Sequence, residues 1–315
     1  VDFGYGAAAT STANATSGIL GGYATAGKST WAVANGATTA ISGLLAASYT
    51  ADGAGATVHN DITAGTGTGT AATLRFNGNA AVDQTAAITT ATGGILVTPI
   101  VGAFDSTISG ALDSGTGNEL IIHQHNTRGN LILSNVAGTN TIITTAGGGK
   151  TLITNNIAGA GTTNIGYGYL QIGSGGTTGM VGSGNILNHG TLGVNRSNAV
   201  SIPTAIISGT GNIEQLGSGT TTLGAANTYS GRTTVRSGTL EVTNNAGLGS
   251  GVTGVNRWGN LTSVNSGGTL SFTGGVTTVA ELLNLDGGTL NIATTAASTY
   301  SAPLILSSSS TITLG

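Results

Sequence analysis

Gly238-Thr239-Leu240-Glu241-Val242, Gly268-Thr269-Leu270-Ser271-Phe272 and Gly288-Thr289-Leu290-Asn291-Ile292 are three copies of one phrase: a glycine, a threonine, then an apolar–polar–apolar step. Fainter copies precede them at Gly129-Asn130-Leu131-Ile132-Leu133, Gly168-Tyr169-Leu170-Gln171-Ile172 and Gly190-Thr191-Leu192-Gly193-Val194. A short strand returning about every 20 residues is the pattern of a β-solenoid. Side chains alternate across a strand, so Leu240 and Val242 face one side and Thr239 and Glu241 the other. Stacking coil on coil then places Leu over Leu, and Val242 over Phe272 over Ile292, in a narrow core with backbone hydrogen bonds between coils. Leu131, Leu152, Leu170 and Leu192, and then Leu240, Leu270, Leu290 and Leu314, mark the expected coils, about 12 to 15 in all at that period. The glycine ahead of each strand is expected to allow a corner with positive φ. Asn135, Asn155, Asn244 and Asn245 are expected to tolerate the same conformation and to bond to the next turn.

Composition narrows the class. Charged residues are 6% of the 315, against about 25% in an ordinary globular domain. So few lysines and glutamates leave long amphipathic helices without a polar face. Regularly recurring Leu, Ile and Val argue equally against disorder. Strands punctuated by turns remain, in a chain with 56 glycines. Cysteine is absent, which removes disulfides and thiolate metal sites and fits a protein exported unfolded across bacterial membranes. The net charge is -3, and lysine occurs at Lys28 and Lys150 alone, so no basic patch for nucleic acid is expected. No run of 18 apolar residues would span a membrane as a helix. The opening at Val1, without a leader, reads as a mature form or an excised segment.

Residues 1–55 are the least regular and are read as an N-terminal cap or irregular first coils, with the parallel β-helix at 56–315. Val1-Asp2-Phe3-Gly4-Tyr5 would make a strand with Val1, Phe3 and Tyr5 on one face. Ile41 to Tyr49 suits a short helix or a buried strand equally. Leu74-Arg75-Phe76 is the first clear alternating step, and Ile95 to Val101 and Leu120 to Ile122 are denser apolar runs.

Several constellations invite a chemical reading. Gly22-Tyr23-Ala24-Thr25-Ala26-Gly27-Lys28-Ser29 matches a phosphate-binding loop letter for letter. A nucleotide site also needs a following helix and a magnesium-binding Asp, and neither is visible. His123-Gln124-His125 places two imidazoles at i and i+2, where a metal could bind if His59 or His189 approached; a solvent-facing strand or corner is the plainer reading. The acids are scattered at Asp52, Asp61, Asp83, Asp105, Asp113, Glu119, Glu214, Glu241, Glu281 and Asp286, with no Asp-Asp pair in sequence; glycoside hydrolysis needs two carboxyls a few ångströms apart, which only the stacking of distant coils could supply. Arg232 and Arg236 share one strand face and read as solvation. Gly65-Thr66-Gly67-Thr68-Gly69 reads as a turn-rich loop, and Trp258 and Tyr300 as covers for a loop or the end of the core. No catalytic, cofactor-binding or metal-binding residues are therefore expected, and no cofactor.

One segment is specific enough to name. Leu223-Gly224-Ala225-Ala226-Asn227-Thr228-Tyr229-Ser230-Gly231-Arg232-Thr233-Thr234-Val235 runs through Ser237-Gly238-Thr239-Leu240 to Ala246-Gly247-Leu248-Gly249-Ser250-Gly251. This stretch resembles the autotransporter-associated β-strand repeat, also called the passenger-associated transport repeat. A looser resemblance to the large bacterial surface proteins that carry it begins at Gly93-Gly94-Ile95-Leu96-Val97-Thr98-Pro99 and includes Glu119 to Asn126. The resemblance implies an all-β, right-handed parallel β-helix, secreted or displayed at the cell surface, whose repeat serves passenger export and folding rather than catalysis.

The expected function is structural: an extracellular bacterial solenoid that assembles end to end into a filament or sheath. The chain stops at Ser310-Thr311-Ile312-Thr313-Leu314-Gly315 within a strand phrase and shows no membrane-barrel pattern. An uncapped coil exposes unpaired backbone groups. Val1, Phe3 and Tyr5 of one copy are expected to add as a strand to the edge carrying Ile312 and Leu314 of another, a head-to-tail contact that does not close. The expected partners are thus copies of the same chain, not nucleic acid and not a membrane interior. The alternative is a monomeric adhesin or passenger segment with host-surface or glycan ligands.

Overall fold

In the computed structural model the strands Gly238–Val242, Gly268–Phe272 and Thr289–Ile292 stack in parallel, with Leu240 opposite Leu270 and Leu270 opposite Leu290. Val242, Phe272 and Ile292 form the neighbouring row. The alternation is as expected. Leu240, Val242, Leu270, Phe272 and Leu290 are buried, while Glu241 turns outward to accept hydrogen bonds from the Thr222 and Thr273 hydroxyls at 2.8 and 3.1 Å. The architecture is a β-solenoid with about 21 residues per turn and 2% helix.

The structure describes residues 1–4, 9–115, 119–137, 141–202, 205–250, 261–277, 281–293 and 298–315. They form two compact units, Val1–Gly161 with Gly166–Gly168, and Thr162–Ile165 with Tyr169–Gly315. In the first unit, one parallel stack runs through Val82–Gln84, Ser106–Ile108, Asn130–Leu133 and Lys150–Ile153. A broader one runs through Tyr49–Ala51, Gly55–Asp61, Gly69–Phe76, Ile88–Val97, Glu119–Gln124 and Ile142–Ala146. In the second unit, the longest stack runs from Tyr169–Ile172 through Thr191–Val194, Asn212–Gln215, Thr233–Val235, Thr262–Asn265 and Leu283–Asp286 to Leu304–Leu306. Another begins at Val200–Ile202, continues through Thr220–Leu223 and the three repeated phrases, and reaches Thr311–Leu314. A short one joins Thr163–Ile165, Ile186–Asn188 and Ile207–Ser208.

These registers revise the leucine pattern. In the second unit Leu170 and Leu192 lie over Ile213 in the longest stack, whereas Leu240, Leu270 and Leu290 sit over Thr221 in a different one. One phrase therefore serves two faces of the coil. Leu152 pairs with Ile132 on the outward side, and Thr151 and Ile153 take the buried positions. Leu314 pairs with Ile292, and it is Ile312 that continues the leucine row over Leu290. At Leu152 the difference is one residue of register, which with a side-chain period of two exchanges the faces; at Leu314 it is two, which keeps the face and changes the partner.

The corners are also revised. Gly238 has φ 62, and a Cβ there would meet the Gly219 carbonyl oxygen at 2.5 Å. Ahead of the next two strands the positive φ falls one residue earlier, at Gly267 and Gly287. Among the described residues Lys28 and Asp52 are the non-glycines with positive φ, so the corner asparagines do not adopt it. Their side chains act instead. Asn155 donates to the Val136 carbonyl at 3.2 Å, and Asn244 and Asn245 accept from the Ala246 and Thr277 amides, each at 3.0 Å.

The N-terminal segment is built from short pieces. Asp2–Phe3 pairs with Thr25–Ala26, which forms a hairpin with Thr30–Val33, and Ser42–Gly43 adds antiparallel to that strand. Ile41 to Tyr49, undecided from periodicity, holds a strand residue pair, a 3-10 turn at Ala46–Ser48 and the start of Tyr49–Ala51. The segment lies on the outer face of the broad stack of its own unit. Trp31 packs with Ile19 and Leu96 there. That contact explains the dense run Ile95-Leu96-Val97, which is buried on both faces where most strands alternate.

The register at Leu152 is directly testable. Leu152→Lys is expected to change the unfolding free energy by less than about 1 kcal/mol, because the side chain leaves the sheet toward water. Ile153→Lys, one residue on and fully buried, is expected to cost more than about 3 kcal/mol by placing an unpaired charge in the core. Denaturant unfolding of the two variants measures both, and equal costs would refute the register.

Candidate functional site

Within the Leu223–Gly251 stretch one asparagine, Asn227, reaches the coils on both sides. Across Ala225–Ser230 no strand forms, yet the Thr228 and Ser230 amides donate to the Ile207 and Gly209 carbonyls of the coil before, each at 2.9 Å, and the Asn227 side chain adds to these bonds. Its Oδ1 accepts from the Ile207 amide at 2.9 Å in the coil before, and its Nδ2 donates to the Gly247 carbonyl at 2.7 Å in the coil after. Tyr229 follows, fully buried, with its hydroxyl 2.7 Å from Thr233 Oγ1. Burial pushes the Tyr229 phenol well up, aided by the Glu281 carboxylate. Side chains and backbone amides thus bridge the coils together here.

Beside this coil the outer surface carries a charged network. Tyr169 lies across Gly193, whose lack of a side chain leaves room for the ring, and donates its hydroxyl to Glu214 Oε2 at 2.8 Å. Arg236 donates to Glu214 Oε1, also at 2.8 Å. Burial and the bond to Glu214 push the Tyr169 phenol up, and the same carboxylate raises Arg236. A cleft of about 270 Å³ adjoins it, lined by Arg232, Arg236, Asn265, Asn284 and Asp286. Arg232 and Arg236 thus do share a face. The lining offers donors and acceptors to a hydroxylated ligand. Glu214 is already engaged by two partners, which leaves it poorly placed as a general acid or base.

Glu281 is the group that sequence reading left among the scattered acids. It is 3% exposed, with Oε1 accepting from Thr262 Oγ1 at 2.6 Å and Oε2 buried without a hydrogen-bond partner. Burial raises its carboxyl to about 8, against the Thr262 bond that lowers it. Tyr300 covers the neighbourhood as expected: it stacks on Phe272 and donates to the Glu281 backbone carbonyl at 2.9 Å. Trp258 lies outside the described residues.

The remaining motifs resolve into structure. Gly22–Ser29 contains the strand Thr25–Ala26 and the turn Gly27–Ser29 that leads to Thr30–Val33, with Gly27 and Lys28 at positive φ; a strand follows it where a phosphate loop needs a helix. The Gly65 loop closes on Asp52, whose carboxylate accepts from the Thr63 hydroxyl and from the Ala64 and Gly65 amides. Burial would raise Asp52, but those bonds outweigh it and hold the carboxyl down. His123 and His125 do not face solvent. The N-terminal segment covers them, and Trp31 meets the His123 ring edge-on at 5.8 Å between centroids. Among the described residues no three His, Asp or Glu side chains come together to hold a metal ion.

The residues expected at an assembly contact are placed as follows. Val1 is exposed, and Phe3 is half-buried against the cluster of Leu20, Ala24, Ala26, Ala32 and Ile41 in its own chain. Tyr5 lies outside the described residues. Ile312 and Leu314 are 48% and 70% exposed on a strand that pairs with Thr289–Ile292 on one side.

Residues 213–242 match the family model described as Passenger-associated-transport-repeat. The match begins upstream of the motif as read from sequence and ends at Val242, so it spans the strands Asn212–Gln215 to Gly238–Val242 and includes Asn227 and Tyr229. The chain carries this repeat within a β-solenoid, a combination that fits a passenger-domain-like surface protein and is structural in character. No curated protein and no solved structure is matched by the chain.

Two measurements follow from the buried polar groups. Asn227→Ala is expected to cost about 2–4 kcal/mol in denaturant unfolding, since it leaves the Ile207 amide and the Gly247 carbonyl unpaired inside the fold. Glu281 gives a pH dependence. Its folded pKa lies above the unfolded value, so its stability contribution is fully present below about pH 4.5 and is lost as pH rises to about 8. The slope is at most about 1.4 kcal/mol per pH unit. Glu281→Gln is expected to flatten it, and an unchanged slope between those limits would show that the carboxyl is not neutral in the fold.

Proposed function

We propose that this chain is the rod-forming part of a secreted, cell-surface passenger protein, with a structural and non-catalytic role, and that copies of it join end to end by continuing the strand stacks. The observation that carries the first part is the transport-repeat match falling on a coil that is fully integrated in the ladder. Absence of cysteine supports it, since a chain exported unfolded gains from having no thiols to cross-link. The few surface charges and the inward Leu and Val rows support a mechanical rather than a chemical role.

The second part rests on the coil containing Leu304–Leu306 and Thr311–Leu314. Among the described residues each of these strands pairs on one side, with Leu283–Asp286 and Thr289–Ile292 respectively. Leu306, Ile312 and Leu314 are exposed on these strands, and exposed apolar side chains on a strand favour strand addition. A passenger segment that acts as a monomeric adhesin is the competing reading, favoured by the polar cleft at Arg232, Arg236 and Asp286.

Electron microscopy and size exclusion of the 315-residue chain separate the two. Filaments that are lost when Ile312→Lys and Leu314→Lys are combined are expected. Single particles at every concentration would refute end-to-end assembly and leave the adhesin reading, and detection of the protein only inside cells would refute surface display.

A further inference from the structure

Three of the four histidines lie on the outer face of one sheet, beneath one segment. His59 belongs to the strand Gly55–Asp61, and His123 to Glu119–Gln124, with His125 just beyond. All three are buried, and each reaches up to the N-terminal segment. His59 Nε2 donates to the Ser17 carbonyl at 2.8 Å, and its Nδ1 lies 2.9 Å from Thr73 Oγ1. His123 Nε2 donates to the Gly22 carbonyl at 3.2 Å. His125 Nε2 lies 3.4 Å from Thr25 Oγ1. The backbones approach closely between these contacts: a Cβ on Gly94 would meet Gly22 Cα at 2.8 Å and Trp31 Cη2 at 2.9 Å.

The charges that face the imidazoles do not welcome a second proton. Near His59 stands Arg75, whose guanidinium is held by Asp61 at 2.5 Å and lies over the Tyr49 ring at 3.3 Å. Near His123 and His125 stand the Val1 amine, Lys28 and Asp2, and the two imidazoles stack on each other at 5.8 Å. The Asp2 carboxylate already accepts from Thr25 Oγ1 and the Lys28 amide. Protonating the cluster would therefore place like charges together in a site shielded from water.

We propose that residues 1–4 and 9–48 form an acid-released latch, which detaches from the sheet when His59, His123 and His125 are protonated and uncovers Leu96 and the imidazole row. This goes beyond the surface role above and does not depend on it. Burial lowers all three histidines, His123 to about 3. A base with a folded pKa below 6.5 supports docking fully above that pH and withdraws the support as pH falls toward the folded value. The docking equilibrium changes by up to about tenfold per pH unit for each such group. The segment yields before the sheet because its strands are two to four residues long, whereas the sheet beneath it is paired coil to coil across strands of up to ten residues.

Trp31, fully buried against Leu96, is the reporter, and Trp258→Phe makes it the sole tryptophan. Emission and far-ultraviolet circular dichroism are followed from pH 7.5 to 4. A reversible red shift with its midpoint below pH 6.5, at constant strand signal, is expected. Replacing His59, His123 and His125 by Gln is expected to abolish the step; should that chain already emit as undocked at pH 7.5, His123→Gln alone is expected to move the midpoint by at least half a pH unit. Emission that never shifts, strand signal lost together with it, or a midpoint unmoved by the histidine variants would each overturn the latch, the last by showing that the step does not belong to the histidines.

Discussion

Parallel pairing in register between successive coils is the constraint on which the rest of this structure depends. Each side chain has its counterpart one coil away as its neighbour, so a position repeats its environment along the stack. Leu240, Leu270 and Leu290 satisfy one another for that reason, and so do Val242, Phe272 and Ile292. Polar residues that enter the interior must be satisfied close at hand. Gln215 shows how: its Nε2 donates to the Gly217 and Gly219 carbonyls, and its Oε1 accepts from Thr221 at 2.6 Å. Such a residue costs little because no buried donor is left over.

Between strands, side chains add to the backbone bonds that link coils, and polar groups collect at those positions. Asn227 bridges three coils in the transport repeat, and the family match centres on the coil it holds. Glu281 sits in the same neighbourhood with one oxygen unsatisfied, a cost the fold bears by keeping the carboxyl neutral over part of the pH range. The outer face of the first unit is the other such place. There a sheet that could face water is covered by a segment whose hold rests on Trp31, Arg75 and three neutral imidazoles. Both arrangements couple stability to pH, in opposite directions: alkali works against Glu281, and acid against the histidines.

Much of this was legible from particular residues. Thr239 and Glu241 alternate with Leu240 and Val242 in the way a strand requires, and the Ala-Asn-Thr-Tyr-Ser-Gly run identified the repeat. Register was less legible. Thr151-Leu152-Ile153 contains an apolar pair that permits either face, and the neighbouring Leu131 decides the matter only through its pairing with Thr151. The histidines were least legible, because nothing near residue 123 in sequence announces that residues 17–31 will lie on top of it. The double-sided apolar run Ile95-Leu96-Val97 was the available sign, since a strand with one wet face has no need of Leu96.

The sequence by itself determined the coil: a period near 20, a strand at each Gly-Thr-Leu phrase, a core of aliphatic rows, and a repeat tied to passenger transport. These are local properties, set by side-chain alternation and by glycine at corners. Only the tertiary structure decided which face each phrase occupies, which outer surface is covered, and which titratable groups lose their water. Those depend on residues distant in the chain, His123 beneath Gly22 and Trp31 or Asn227 between Ile207 and Gly247, and desolvation is a property of the neighbours that a fold brings together, not of the residue that bears it.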